Sequence, residues 1–213
     1  MDFSAFESAV AKIKNLPLPG EGSHMEMAPL ERLLELKRLA HKAKTGKRAG
    51  VLMLFYPSEE RITRFVLILR KTYKGVHSAQ VGFPGGRYED GDLNFEHTAL
   101  RETEEEVGVP SKDVTVIRRL TELYIPPSNF FVQPYMGITK RYPDFVPEAS
   151  EVDAIIEVPL SEFMNEKVRI TKTLSTSYAE NLEVPAFELQ DHVVWGATAM
   201  MLNEARQLLI QTL

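Results

Sequence analysis

Along most of the chain the apolar positions come in short blocks. Val51–Tyr56 is an uninterrupted apolar run, Phe65–Leu69 is another, and Val81–Phe83 is a shorter third. Blocks of this length bounded by turn-forming residues predict strands. A loop rich in glycine and acid follows, and the pattern then takes up a helical period, predicting a helix from Asn94 to Val107. Val114–Tyr124, Phe130–Gly137 and Val152–Val158 predict further strands, and a last helix is expected from Ala197 to Gln211. The order strands, helix, strands, helix departs from the regular alternation of a doubly wound sheet and points to the α+β class.

Residues 1–48 read differently. Pro17, Pro19 and Gly20 interrupt the chain early, and Leu33, Leu34, Leu36 and Leu39 recur near helical spacing. A mainly helical, partly irregular extension over 1–48 is therefore expected ahead of a catalytic domain over 49–213. Between Lys37 and Arg48 stand six Lys or Arg and no acid. This is either a solvated helix end, where cations suit the terminal carbonyls, or a collar for an anionic substrate.

Composition narrows the function classes. The 213 residues include no cysteine, which excludes a disulfide framework, a zinc–thiolate site and a cysteine nucleophile. A net charge of -5 counts against a protein that grips a phosphate backbone, so no nucleic-acid partner is expected. No apolar run approaches the roughly 20 residues that cross a bilayer, and the first residues lack the basic-then-apolar layout of a signal peptide. The expectation is no membrane partner and a cytoplasmic location; a homodimer is left open.

The segment Arg101-Glu102-Thr103-Glu104-Glu105-Glu106-Val107-Gly108 carries the candidate chemistry. Glu102, Glu105 and Glu106 stand at i, i+3 and i+4, so a helix presents them within one turn of one face. Like charges at that spacing cost roughly 0.2–0.5 kcal/mol per pair, and no Lys or Arg follows before Ser111 to offset them. The acids also lie toward the helix C-terminus, where the dipole disfavours anions. The face is either a solvated amphipathic surface or a site whose positive charge arrives from solution. Carboxylate oxygens select a hard cation such as Mg²⁺ or Mn²⁺. Upstream lies Phe83-Pro84-Gly85-Gly86, whose paired glycines allow close approach of backbone or ligand.

Together, Gly85-Gly86, the acidic loop and Arg101-Glu102-x-x-Glu105-Glu106-x-Gly108-Val109 resemble the Nudix box. Thr103 stands where the family has an apolar residue, and the spacer from Gly86 to Arg101 is one residue longer than usual. That longer spacer, with Glu89 and Asp92 in it and Thr98-Ala99-Leu100-Arg101-Glu102 after it, is similar to the coenzyme A pyrophosphatase subgroup. So are Arg70, His77 and Gln80 upstream, Ser128-Asn129-Phe130 with Val132 and Pro134, Glu151-Val152 before Val158-Pro159-Leu160, and Trp195-Gly196-Ala197-Thr198-Ala199. Lys71, Gly75 and Ala79 depart from the subgroup's substrate-recognition stretch.

The resemblance implies a Nudix fold, a mixed β-sheet sandwiched between helices. It implies Mg²⁺- or Mn²⁺-dependent hydrolysis of a diphosphate bond in a small nucleotide-like molecule, with coenzyme A or acyl-coenzyme A the leading substrate. ADP-ribose and dinucleoside polyphosphates are the enzymatic alternatives, and a non-catalytic nucleotide sensor is a third. It implies Glu102, Glu105 and Glu106 as metal ligands, and Glu105, Glu106, Glu151 and Arg101 as the catalytic set, with Glu105 or Glu151 taking the proton from water. Arg70, His77, Gln80, Gly85, Gly86 and Phe130 are the expected substrate contacts.

Overall fold

The structure, a computed structural model, describes residues 1–29, 46–71, 80–174 and 182–213. Two helices open it, α1 (Phe3–Val10) and α2 (Glu21–Met25), followed by strands β1 (Lys47–Pro57), β2 (Thr63–Arg70), β3 (Val81–Gly82) and β4 (Gly85–Arg87). Helix α3 (Phe95–Val107) leads to β5 (Thr115–Arg119), β6 (Leu123–Ile125), β7 (Phe130–Ile138) and β8 (Val152–Pro159). A short α4 (Leu160–Phe163), strands β9 (Arg169–Leu174), β10 (Leu182–Leu189) and β11 (His192–Trp195), and helix α5 (Gly196–Ile210) complete it.

The main sheet has the order β3-β2-β1-β7-β5, with β4 also on β1, β6 on β7 and β8 on β2. β1 and β7 run parallel from Lys47↔Phe130 to Phe55↔Ile138, while β1 pairs antiparallel with β2 and β4. The sheet is therefore mixed, and both its faces are covered. Leu52, Leu54 and Tyr56 of β1, with Val66 and Ile68 of β2, pack with Ala99 and Val107 of α3. The intervening Met53, Phe55, Phe65 and Leu67 point the other way, into a core with Phe3, Phe6, Leu202 and Leu209. This two-sided burial explains why the strands read as continuous apolar runs: with period 2, both faces need hydrophobic residues.

Within the extension, α1 and α2 are helical and Phe3, Phe6, Val10 and Ile13 are buried in the sheet's own core. The expected helix around Leu33–Leu39 lies outside the described residues. Of the basic stretch, Lys47 and Arg48 are described, and they begin β1 rather than end a helix. Arg48 pairs with Glu122 at 2.6 Å and stacks on the Phe131 ring.

Two local expectations are corrected. Val114–Tyr124 is not one strand but β5 and β6, split where the chain turns toward α5. The buried Glu204 carboxylate accepts from the Thr121 amide at 3.1 Å and hydroxyl at 2.6 Å, and from His24 at 3.0 Å, so a side chain takes the place of a ladder partner. Strands β9 to β11 form a separate antiparallel sheet that the apolar pattern does not predict. Pro185 interrupts the β10 run, and β9 is mostly exposed, so neither shows a clean apolar signature. Among the described residues no helix is long and apolar enough to cross a membrane.

Candidate active site

Helix α3 is set by local signals. The Asn94 side chain accepts from the His97 amide at 2.8 Å as N-cap, and Gly108 ends the helix at φ 77°. Its inner face buries Thr98, Ala99, Thr103, Glu106 and Val107. Thr103 fits an apolar position because its hydroxyl donates to the Ala99 carbonyl at 2.6 Å, leaving the methyl group to pack.

Two of the three glutamates are folded into the protein. The Glu106 side chain is 2% exposed, and its Oε2 accepts from the Gly85 amide at 2.8 Å. Oε1 accepts from Arg70 Nη1 at 3.2 Å, and the same nitrogen reaches the Gly85 carbonyl at 3.5 Å. Glu102 lies directly over Gly86: a Cβ there would fall 2.3 Å from its Oε2. The glycine pair therefore seats two carboxylates, one by an amide and one by leaving space. Glu105 is 57% exposed and held by Arg101 at 2.9 Å.

Burial pushes the Glu106 carboxyl up to about 7; Arg70 and the Gly85 amide oppose this, while the charges of Glu102 and Glu151 add to it. Burial also raises Glu102, with Glu105 and Glu151 adding and Arg101 opposing. The charge of Glu151 is felt at both because the loop before β8, which carries it, docks on the end of α3. The Val146 and Glu148 amides donate to the Val107 and Glu106 carbonyls at 3.0 Å, satisfying terminal acceptors of the helix. The Glu151 carbonyl then accepts from the Lys71 amide at 2.9 Å, just beyond β2.

Arg101 organises the outer side. It donates to Glu105 and lies 3.0 Å from Glu102, while its Nε and Nη2 fork onto Asp92 at 2.9 and 3.0 Å. Asp92 is buried and also accepts from the Thr98 hydroxyl at 2.9 Å and the Glu89 amide at 3.0 Å, with His97 Nδ1 at 3.0 Å. The Arg101 guanidinium, chief among these partners, holds Asp92 well below the usual carboxylate range. In the sequence Asp92 stands out only as one acid of a polar loop, and its position nine residues before Arg101 is the one signal of this role.

The other expected residues are distributed as follows. Gln80, beyond the end of β2, accepts at its carbonyl from the Arg70 amide at 3.1 Å. Phe130 opens β7 opposite Lys47, whose ammonium lies 5.6 Å from the ring, and it packs partly on the core. In strand register it lies three residues along β1 from the Gly50↔Gly86 pair, toward the start of that strand. His77 lies outside the described residues.

Comparison with known proteins identifies the family and the fold. The family described as the NUDIX domain matches residues 46–172. A peroxisomal coenzyme A diphosphatase of Caenorhabditis elegans is 29% identical over 174 residues, 81% of this chain and 73% of that protein. A mitochondrial Nudix hydrolase of Arabidopsis thaliana is 30% identical over 165 residues, 75% of this chain but 57% of the longer plant protein. Among solved structures, a MutT/nudix family protein from Enterococcus faecalis superposes with a TM-score of 0.52 at 15% identity, covering 92% of this chain and 75% of its own. At that identity the likeness speaks for the fold alone.

Proposed function

Since the chain belongs to the Nudix hydrolase family, we propose that it hydrolyses the diphosphate bond of coenzyme A or an acyl derivative, giving adenosine 3',5'-bisphosphate and the phosphopantetheine product. The observation that carries this is the seating of Glu102 and Glu106 against Gly86 and Gly85 with Arg70 beside them. The subgroup motifs and the named activity of the worm relative support the substrate.

The residues suit a divalent cation. Glu102, Glu105, Glu106 and Glu151 supply carboxylate oxygens only, and Arg70 and Arg101 are the guanidiniums ion-paired with them. Burial and mutual repulsion raise Glu102 and Glu106, the mark of a centre short of positive charge. Among the described residues no three acidic or imidazole side chains stand close enough to hold a metal ion together, so the glutamates would have to draw in around it. Glu102 and Glu106 would hold Mg²⁺ or Mn²⁺, with Glu105 as the outer ligand. Such an ion neutralises phosphate oxygens and makes a bound water more acidic.

The chain's own groups supply the rest. Glu151 accepts the proton as water adds to phosphorus, and the bridging P–O bond breaks with its electrons going to the departing phosphate. Arg101 is a positioning residue, fixing Glu102 and Glu105 from its Asp92 clamp. Arg70, on the last residue of β2, meets a phosphate oxygen of the substrate; a guanidinium's forked donors suit that contact.

Hydrolysis of ADP-ribose or dinucleoside polyphosphates is the second reading, favoured by Lys71, Gly75 and Ala79. Incubation with Mg²⁺ and a panel of coenzyme A, ADP-ribose and diadenosine polyphosphates, with products separated by chromatography, distinguishes them. Coenzyme A cleavage is expected; turnover of ADP-ribose with coenzyme A untouched would replace the first reading by the second.

A further inference from the structure

We infer that Arg70 is a stand-in counter-ion for Glu106, displaced when a divalent ion binds and thereby released to the substrate's phosphates. This rests on the proposed metal-dependent hydrolysis and adds to it an order of events.

Three observations carry it. First, both Glu106 oxygens are engaged, one by the fixed Gly85 amide and the other by Arg70. An incoming ion that uses Oε1 meets a guanidinium already there. Second, among the described residues Arg70 is held loosely. A single nitrogen, Nη1, serves both the 3.2 Å contact to Glu106 and the 3.5 Å contact to the Gly85 carbonyl, and the side chain is 27% exposed. Arg101 is the contrast, forked onto a buried aspartate at 2.9 and 3.0 Å. One arginine is clamped and the other is leaning. Third, Arg70 is the end residue of β2 on the face that Val66 and Ile68 turn toward Ala99 and Val107 of α3, so the strand's own alternation aims it at the glutamate helix, at the point where the β2–β8 ladder becomes irregular.

A guanidinium and a metal ion competing for one carboxylate oxygen are negatively coupled, and the coupling is reciprocal. Removing the arginine must tighten the metal, and adding the metal must free the arginine. A merely supporting arginine, one that holds Glu106 in shape for the ion, predicts the opposite sign.

Two measurements test this. In the unaltered protein, phenylglyoxal labelling of Arg70, mapped by mass spectrometry, should rise on the order of fivefold when saturating Mg²⁺ is added without substrate. In Arg70→Gln, Mn²⁺ affinity, followed by the paramagnetic resonance signal of free Mn²⁺, should tighten by a similar factor while KM for the substrate rises. Labelling that is unchanged or reduced by Mg²⁺, or Mn²⁺ binding in Arg70→Gln that is equal or weaker, overturns the displacement and leaves the hydrolytic assignment standing. If the unaltered protein binds no Mn²⁺, both fall together.

Discussion

The Glu102 carboxylate occupies the volume in which a side chain at Gly86 would lie, with all three carboxylate atoms between 2.3 and 2.6 Å of an ideal Cβ position. What would be struck is the end of a long side chain, so Gly86→Ala can be accommodated by moving Glu102 rather than by breaking β4. The expected result is a cooperative fold with little change in Tm and activity lower by about 10²-fold, the usual consequence of an ångström-scale misplacement. Calorimetry beside turnover checks the split. Loss of folding with normal specific activity in the residual folded protein would contradict it.

Asp92→Asn removes a buried counter-charge from Arg101 while keeping the shape of the side chain. Breaking one half of a buried ion pair costs about 3 kcal/mol, and the outward hold on Glu102 and Glu105 loosens with it. Denaturant unfolding should show that loss, and turnover per folded molecule should fall as well. Because Asp92 is held below the usual carboxylate range, its contribution is complete above the ordinary carboxyl pKa and disappears as pH falls well below it. The variant and the unaltered protein should therefore converge in stability toward strong acid.

Glu106 gives the opposite dependence. Its folded-state pKa of about 7 lies above the ordinary 4.5, so between these values the folded chain holds a proton that the unfolded chain has lost. Metal-free stability should then decline as pH rises from about 4.5 through 7. Thermal unfolding in the presence of a chelator should show this slope, and Glu106→Gln should flatten it. The same substitution should lower catalysis by orders of magnitude while unfolding stays cooperative; near-normal turnover would remove Glu106 from the ligand set.

Glu204, on α5, ties α2 to the turn between β5 and β6. Its carboxylate serves His24, the Gly20 amide at 3.3 Å, and the amide and hydroxyl of Thr121. Glu204→Ala leaves the buried His24 and the part-buried donors of Gly20 and Thr121 without this acceptor, at about 1–3 kcal/mol for each group that stays unsatisfied. A clear drop in Tm is expected with KM unchanged in the folded fraction, which activity at a temperature well below the transition will show.

The parts legible in the sequence were those written in local spacing. The i, i+3, i+4 glutamates needed only helical geometry, and Asn94 and Gly108 marked the ends of that helix. The glycine pair signalled close approach, although not what approaches: one glycine turned out to offer an amide to Glu106 and the other a gap to Glu102. Long-range features were not legible. The chain leaves the ladder between β5 and β6 where Glu204, far along the chain, takes both donors of Thr121. Asp92 is a clamp because a turn from Glu89 to Asp92 folds it under α3. Phe3 and Phe6 lie in the core of a sheet that begins more than 40 residues later, and nothing in the early segment's own pattern says so.

The parallel pairing of β1 with β7 also bears on how the molecule comes into being. Lys47 to Phe55 cannot find its neighbour until Phe130 to Ile138 exists, and the intervening chain carries every glycine and glutamate assigned to the box. Contacts of such sequence separation give a high contact order, which slows folding. A growing polypeptide emerging from the ribosome can therefore coil the acidic helix early, but the surface that seats it is finished late. Until that ladder closes, the two carboxylates destined for burial stay in water with ordinary acidity.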